Sequence, residues 1–382
     1  MHAEHWRDPA AVLAHAPMTT RPDPDLLRHR ARGRWWEVLA KAGVTLLVTR
    51  EYEHLVLALS HAGDVPTVTF LPLAHPSGLA VDRERERVFI AATRNPNEVY
   101  ELAPVTGALP RLDVREGACQ TTALVPVGSR FYPGSLYLHD LAIVAGALHG
   151  NAVGQNAVVR LEPDAVAVPV WWPACIDAGD GPLFGRNHIQ LNSIAAGEEL
   201  VSSFFSASTD AIGRLRPGHL NFPVDGRGVV FSGATREPVV RGLTRPHSAR
   251  LHHGRVWVDD SGYGRLGVVD RGEFHEVTRL PGWTRGLVFH DGVAFVGTSR
   301  VLPRFRRYAP GLDVDRSTCA VHAVDVASGE VVGSITWPAG DQIFALELIP
   351  TTMATGLPFA VRRSRRRDRD LFYTFTTETR TQ

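Results

Sequence analysis

A strand–turn–strand unit recurs along this chain and restricts its fold more than any other feature. Residues 245–270 read RPHSARLHHGRVWVDDSGYGRLGVVD, and residues 283–299 read WTRGLVFHDGVAFVGTS. In each, a short apolar run is closed by a turn pair, His253-Gly254 or Asp291-Gly292, and a second alternating run follows at once. That is a β-hairpin signal, and its repetition is the mark of a repeat architecture. Further copies align at Ser77, His139, Asn192 and Phe344, beside those at His247 and Arg285. Spacings range from 38 residues (247 to 285) to 62 residues (77 to 139), which suits four-stranded blades with loops of variable length. Six innermost strands predict an all-β, six-bladed β-propeller. The second position of the unit holds Gly78, Asp140, Ser193, Ser248, Gly286 and Ala345, mostly small residues that fit strands crowded around one axis.

Residues 1–43 hold the helical patterning and are expected to be a helical extension packed on a blade edge or over a mouth. Residues 44–361 are the expected propeller. Within it, residues 44–70 carry three strand signals but no innermost one, so they are expected to complete the last blade and remove an open edge. Residues 362–382 begin RRSRRRDRD and are expected to be a solvated arginine-rich tail.

The formal net charge of +1 gives no bulk attraction to nucleic acid or membrane, so neither is expected as a partner. No apolar run has the length of a membrane span or a signal peptide core. Cys119, Cys175 and Cys319 are far apart and form no CxxC pair, which fits a reducing compartment; a cytoplasmic location is expected. The chain lacks a G-x-S-x-G elbow, a phosphate-binding Gly-Lys loop and a dinucleotide fingerprint, so no nucleotide cofactor is expected.

The phrases SLYLHDLAI, HIQLNSIA, LTRPHSARLHHGRVWVDDSGYGRL, LPGWTRGLVFHDGVAFVGTS and VDVASGEVVGSITWPAG resemble a bacterial family of conserved hypothetical proteins with a propeller-like domain of unknown function. The resemblance covers roughly residues 44–350 and implies fold rather than activity. The repeat is more distantly similar to six-bladed propellers of the gluconolactonase, strictosidine-synthase and peptidyl-hydroxyglycine-lyase kind. That second resemblance implies a ligand site at the axis, and the lyases imply a metal held by histidines there.

Propeller topology puts inner-strand starts and second-strand ends on one face. The starts include His139, Asn192, His247 and Arg285; two residues upstream lie His75, Tyr137, Arg245, Trp283 and Gln342, with His188 nearby. His139, His247 and either His188 or His75 are candidate ligands for one transition metal ion: zinc, iron or copper. The competing reading is a polar lining that binds water or backbone. Arg285, Asn192 and Tyr137 are the candidate catalytic groups. Arg245, Trp283, Arg300, Asn151 and Asp260 are candidate contacts to a small-molecule or peptide substrate. Arg245, Arg285 and Arg300 fit an anionic group equally as well as salt bridges to Asp259, Asp260 or Asp341. Asp259 or Asp260 is expected to orient His247. Insertions near 208–225 and 300–316 are expected to rise over this face as lids. Two functions follow: a metal-dependent lyase or hydrolase, or a non-catalytic ligand- or protein-binding propeller.

Overall fold

A computed structural model describes residues 22–63, 65–94, 96–105, 107–108, 122–361 and 373–374. The first 21 residues, Cys119 and nearly all of the arginine-rich tail therefore lie outside the described residues.

The alternating strands pair into six sheets of four or five strands, each an antiparallel meander. Blade I runs Pro76–Asp82, Arg87–Ala92, Asn97–Pro104 and Leu124–Tyr132. Blade II runs Leu138–Val144, Ala147–Ala152, Ala157–Leu161 and Ala167–Trp171. Blade III runs Leu191–Ala195, Phe204–Ala207, Gly228–Ser232 and Pro238–Leu243. Blade IV runs Pro246–His252, Arg255–Asp260, Arg265–Asp270 and Glu273–Arg279. Blade V runs Trp283–His290, Val293–Ser299, Ala320–Asp325 and Val331–Thr336. In each of these the first strand is innermost, as the aligned repeat predicts. The His253-Gly254 turn has φ values of 49° and 71°, the positive pair that lets a two-residue hairpin follow the strand twist.

Blade VI closes the ring with both ends of the propeller. Its innermost strand is Ala345–Pro350, and Val44–Arg50, Leu55–Ser60 and Thr67–Pro72 follow outward. The seam is a register from Val44↔Pro350 to Thr49↔Ala345. Every residue of Val44–Arg50 and Leu55–Ser60 is buried, so neither strand shows the polar–apolar alternation of a half-buried strand.

The described part of the extension, residues 22–43, is only partly helical. Helix α1 (Pro24–Leu27) is capped by Asp23, whose carboxylate accepts from Asp25 N. Helix α2 (Trp35–Ala42) ends at Gly43, whose φ of 62° lets its N–H reach Leu39 O and Ala40 O. Between them Arg30–Gly33 adds a fifth strand to the outer edge of blade V. The extension docks through Trp35, fully buried and edge-on to Phe295 of blade V. Phe359–Ala360 likewise covers the outer edge of blade VI. Blades V and VI thus have their outer edges paired.

Five of the six innermost strands slip register near their start: 76/79 in blade I, 138/141 in blade II, 191/193 in blade III, 247/250 in blade IV and 284/287 in blade V. A bulge frees backbone groups and re-aims side chains. Here the freed groups are taken up between blades. Asp140 Oδ2 accepts from Ile194 N (3.0 Å), Ser193 Oγ from Ala249 N (2.8 Å) and Ser248 Oγ from Gly286 N (2.7 Å). In the opposite sense, Thr49 donates to Ser77 O, Ser77 to Leu138 O, Asn151 to Leu191 O, Ser261 to Thr284 O and Ser299 to Ile343 O. Small residues occupy the second repeat position for two reasons. A Cβ on Gly78 would meet Asp140 Cα at 2.5 Å, and the polar ones staple each blade to the next.

Candidate functional site at the propeller axis

The inner-strand starts of alternate blades converge on the axis. His139 of blade II, His247 of blade IV and Phe344 of blade VI form a triangle of rings with centroids 5.8, 5.3 and 5.5 Å apart. All three are buried, His139 to 2% and Phe344 to 1% exposure. Arg285 of blade V packs its guanidinium over Phe344 (5.0 Å) and over Trp283 (4.5 Å). Tyr137 stands edge-on to His139 at 4.6 Å.

A second tier surrounds this triangle. His75, Tyr137, Gln190 and Arg245 occupy the same place, two residues before an inner-strand start, and all have positive φ, between 47° and 55°. Non-glycine residues in that region cost roughly 1–3 kcal/mol each, and such strain concentrates where side-chain placement matters. Arg245 lays its guanidinium over Tyr308 at 4.6 Å.

The hairpin Glu51–His54 of blade VI completes the tier, and the inner-strand repeat gave no hint of it. Glu51 pairs with Arg94 (3.1 Å), accepts from Thr93 Oγ1 (2.7 Å) and lies 3.8 Å from His75 Nδ1. With its amide oxygen toward Arg285, Gln342 accepts from Arg285 Nη1 (2.8 Å) and donates to Glu51 Oε2 (3.2 Å). Second-strand ends were singled out as site positions. Glu51 follows such an end in the closing blade, so applying that rule to residues 44–50 would have found it.

The electrostatics are one-sided. Three guanidiniums, Arg94, Arg245 and Arg285, gather here, and the Glu51 carboxylate is paired with Arg94. Burial raises the Glu51 carboxyl, but Arg94, His75 and Thr93 outweigh it and hold it below its usual range. Burial, then Arg285, Arg245 and Arg94, holds His139 well below the usual histidine range; Asn192 pulls weakly the other way. Burial, then Arg285 and His139, does the same to His247. Both imidazoles are neutral at pH 7. Burial lowers Arg245 to about 10, so it stays charged there. Burial and Glu51 push the Tyr52 phenol up to about 12. Arg245 and Arg285 have no carboxylate ion pair among the described residues. Arg245 Nη1, Arg285 Nε, Trp283 Nε1 and His247 Nε2 are buried without a hydrogen-bond partner among those residues, and the His139 ring nitrogens have none beyond the neighbouring Asn192 side chain. The first three are donors, and each neutral imidazole offers one donor and one acceptor nitrogen.

Other candidates lie elsewhere or are committed to structure. Asn151 uses both amide atoms structurally, accepting from Asp140 N within blade II and donating to Leu191 O of blade III. Asp260 is ion-paired to Arg265 and accepts from Thr244 N (2.6 Å). Asn192 donates to Pro246 O and Ser208 Oγ, a staple between blades III and IV beside the His pair. Arg300 is exposed and donates to Pro338 O. Ser248, not Asp259, contacts His247: its Oγ is 2.9 Å from His247 Nδ1. His188 sits on a half-buried loop, its N–H donating to Asn156 Oδ1. His75 packs against His54 at 4.4 Å beside Glu51.

The donor set does not fit the expected metal centre. Among the described residues no group of three His, Cys, Asp or Glu side chains is placed to hold an ion. The two imidazoles that do meet face guanidiniums, which repel a dication. The same field favours an anion.

The two insertions meet above this cluster. Phe222 and Val224 pack with Trp283, Val301 and Tyr308, and Arg307 donates to Gly218 O (3.1 Å). Arg304 lies 5.3 Å over the Tyr52 ring. Among the described residues no helix is long and apolar enough to cross a membrane.

A family model described as a domain of unknown function (DUF4915) matches residues 33–357, so the chain belongs to that family. No curated protein matches it. Among solved structures, a nidogen/laminin complex superposes with a TM-score of 0.51 at 9% identity, covering 80% of this chain and 98% of that one. A gluconolactonase from Xanthomonas campestris gives 0.44 at 14% identity, covering 75% and 86%. The calcium-binding protein regucalcin from Agrobacterium tumefaciens gives 0.40 at 12% identity, covering 68% and 73%. At these identities the likeness is one of fold alone.

Proposed function

We propose that this member of a family of unknown function binds a small anionic molecule at the axial mouth of its propeller. We propose further that it acts on the molecule by proton transfer, as a lyase or hydrolase, with His139 carrying the proton. One observation carries the reading: Arg285 is buried and Arg245 half-buried, each has a buried N–H without a hydrogen-bond partner, and neither has a carboxylate partner among the described residues. A charge removed from water costs several kcal/mol unless it is paired. An anion between these guanidiniums would supply that pairing. Neutral imidazoles beside it can donate or accept one proton each. Anion binding would also cancel part of the field that now keeps His139 deprotonated.

The test is a thermal-shift screen of short carboxylates against their neutral amides, with turnover assayed on whatever binds. At about 100 times its Kd, a carboxylate should raise Tm by roughly 4 °C or more. Arg285→Gln should remove the shift. Equal shifts from acid and amide would defeat the anion reading. A carboxylate that binds but is never turned over would leave a binding protein.

A further inference from the structure

We infer that the ligand carries two separate anionic groups, as a short dicarboxylate does, with one group held by Arg245 and the other by Arg285. This rests on the anion reading above. The first support is charge: neither Arg245 nor Arg285 has a carboxylate partner among the described residues, and Arg307, over the same Tyr308 ring as Arg245, adds positive charge there. Arg94 is the compensated one, bound to Glu51 at 3.1 Å.

The second support is shape. The two remaining guanidiniums do not lie side by side on one support. Arg245 has a face against Tyr308 (4.6 Å), and Arg285 has a face against Trp283 (4.5 Å). These two rings are themselves nearly parallel, at 16° with centroids 6.4 Å apart. An aromatic shelf on its face leaves a guanidinium only its edge for an anion, and that edge matches one planar carboxylate by two parallel hydrogen bonds. Two shelves therefore present two forks. Each fork has a buried N–H without a partner among the described residues: Nη1 of Arg245 and Nε of Arg285. Arg285 also lies over Phe344 (5.0 Å), whose ring meets those of His139 and His247. A short carbon spacer suits that apolar and neutral floor better than a single compact phosphate would.

Calorimetric titration of the purified full chain at pH 7 and fixed low ionic strength tests this. The probes are malonate, succinate, glutarate and adipate, with butyrate and methyl phosphate as comparisons. The best dicarboxylate should bind roughly ten- to a hundredfold tighter than butyrate, the range for losing a hydrogen bond to a charged group. Arg245→Gln and Arg285→Gln should each reduce that ratio to about threefold or less. Their melting temperatures report whether either variant is folded. If Arg245→Gln does not fold, Arg245→Lys replaces it, since lysine keeps the charge but not the fork. Butyrate binding as tightly as every dicarboxylate would overturn the inference while leaving the anion reading intact. So would methyl phosphate outbinding them all, or a ratio that survives both substitutions. No binding by any probe would bring down both readings together.

Discussion

Two layers of buried charge sit on the same axis and are built in opposite ways. At the mouth, Arg245 and Arg285 have aromatic shelves and no carboxylate among the described residues. A few residues further along the inner strands, Arg250 of blade IV reaches past blade III to Asp140 of blade II. It donates to Asp140 Oδ2 (2.8 Å), Asp140 Oδ1 (3.3 Å) and Ile194 O (3.2 Å). Asp140 also accepts from Ile194 N and Leu141 N, so both partners of this pair are satisfied within the protein. The deeper arginine ties three blades together. The mouth arginines tie nothing comparable. The same residue type thus serves cohesion in one layer and is left available in the other.

The largest expected effect breaks the deeper layer. Asp140→Ala leaves Arg250 buried without its carboxylate and should cost roughly 3–5 kcal/mol of stability. Arg285→Gln, without ligand, should cost no more than about 1 kcal/mol, because it removes a desolvated charge that lacks an opposite partner. Denaturant unfolding of both variants would show this, and the reverse ranking would erase the distinction between the layers.

The next effect is one of pH. Burial, aided by Arg285, holds the folded pKa of His139 and His247 below the unfolded value of about 6.5. The unfolded chain therefore takes up protons first. Their contribution to stability is complete above about pH 6.5 and is lost as pH falls below it, by at most about 1.4 kcal/mol per pH unit for each ring. Replacing both by Gln should flatten that slope between about pH 6.5 and 5. His322, lowered to about 4 by burial between Ser334 and Thr298, adds to the same trend and would remain. An unchanged slope in the double variant would mean that the mouth is wetter than its burial implies.

The smallest effect concerns the staples between the layers. Ser193→Ala removes the acceptor of Ala249 N, leaves that buried donor unpaired and should cost about 1–3 kcal/mol, without altering anion binding. If binding weakens instead, the staples also set the mouth geometry.

Much of this was legible from repeat spacing. Six aligned inner strands, the hairpin turns and the closure by residues 44–70 each follow from period-2 patterning and glycine placement, which are local. The His column was legible too, because the repeat assigns His139 and His247 equivalent positions. Its surroundings were less so. Asn151 and Asp260 share the column of second-strand ends, yet their oxygens accept from Asp140 N and Thr244 N. Nothing in their own strands announces which neighbouring N–H a bulge will free. Glu51 and Tyr52 were missed because their hairpin joins the site only after the two ends of the propeller meet at the seam.

The sequence by itself determined the blade, its number of copies and the face on which polar residues collect. These depend on alternation and turns, which act over a few residues. Only the tertiary structure decided which charges are compensated. Compensation depends on distances between blades more than a hundred residues apart, as with Asp140 and Arg250. It also depends on how much water burial removes from each group. An arginine in the sequence reads the same whether it is a staple or is left to meet a ligand; its neighbours across the axis separate the two.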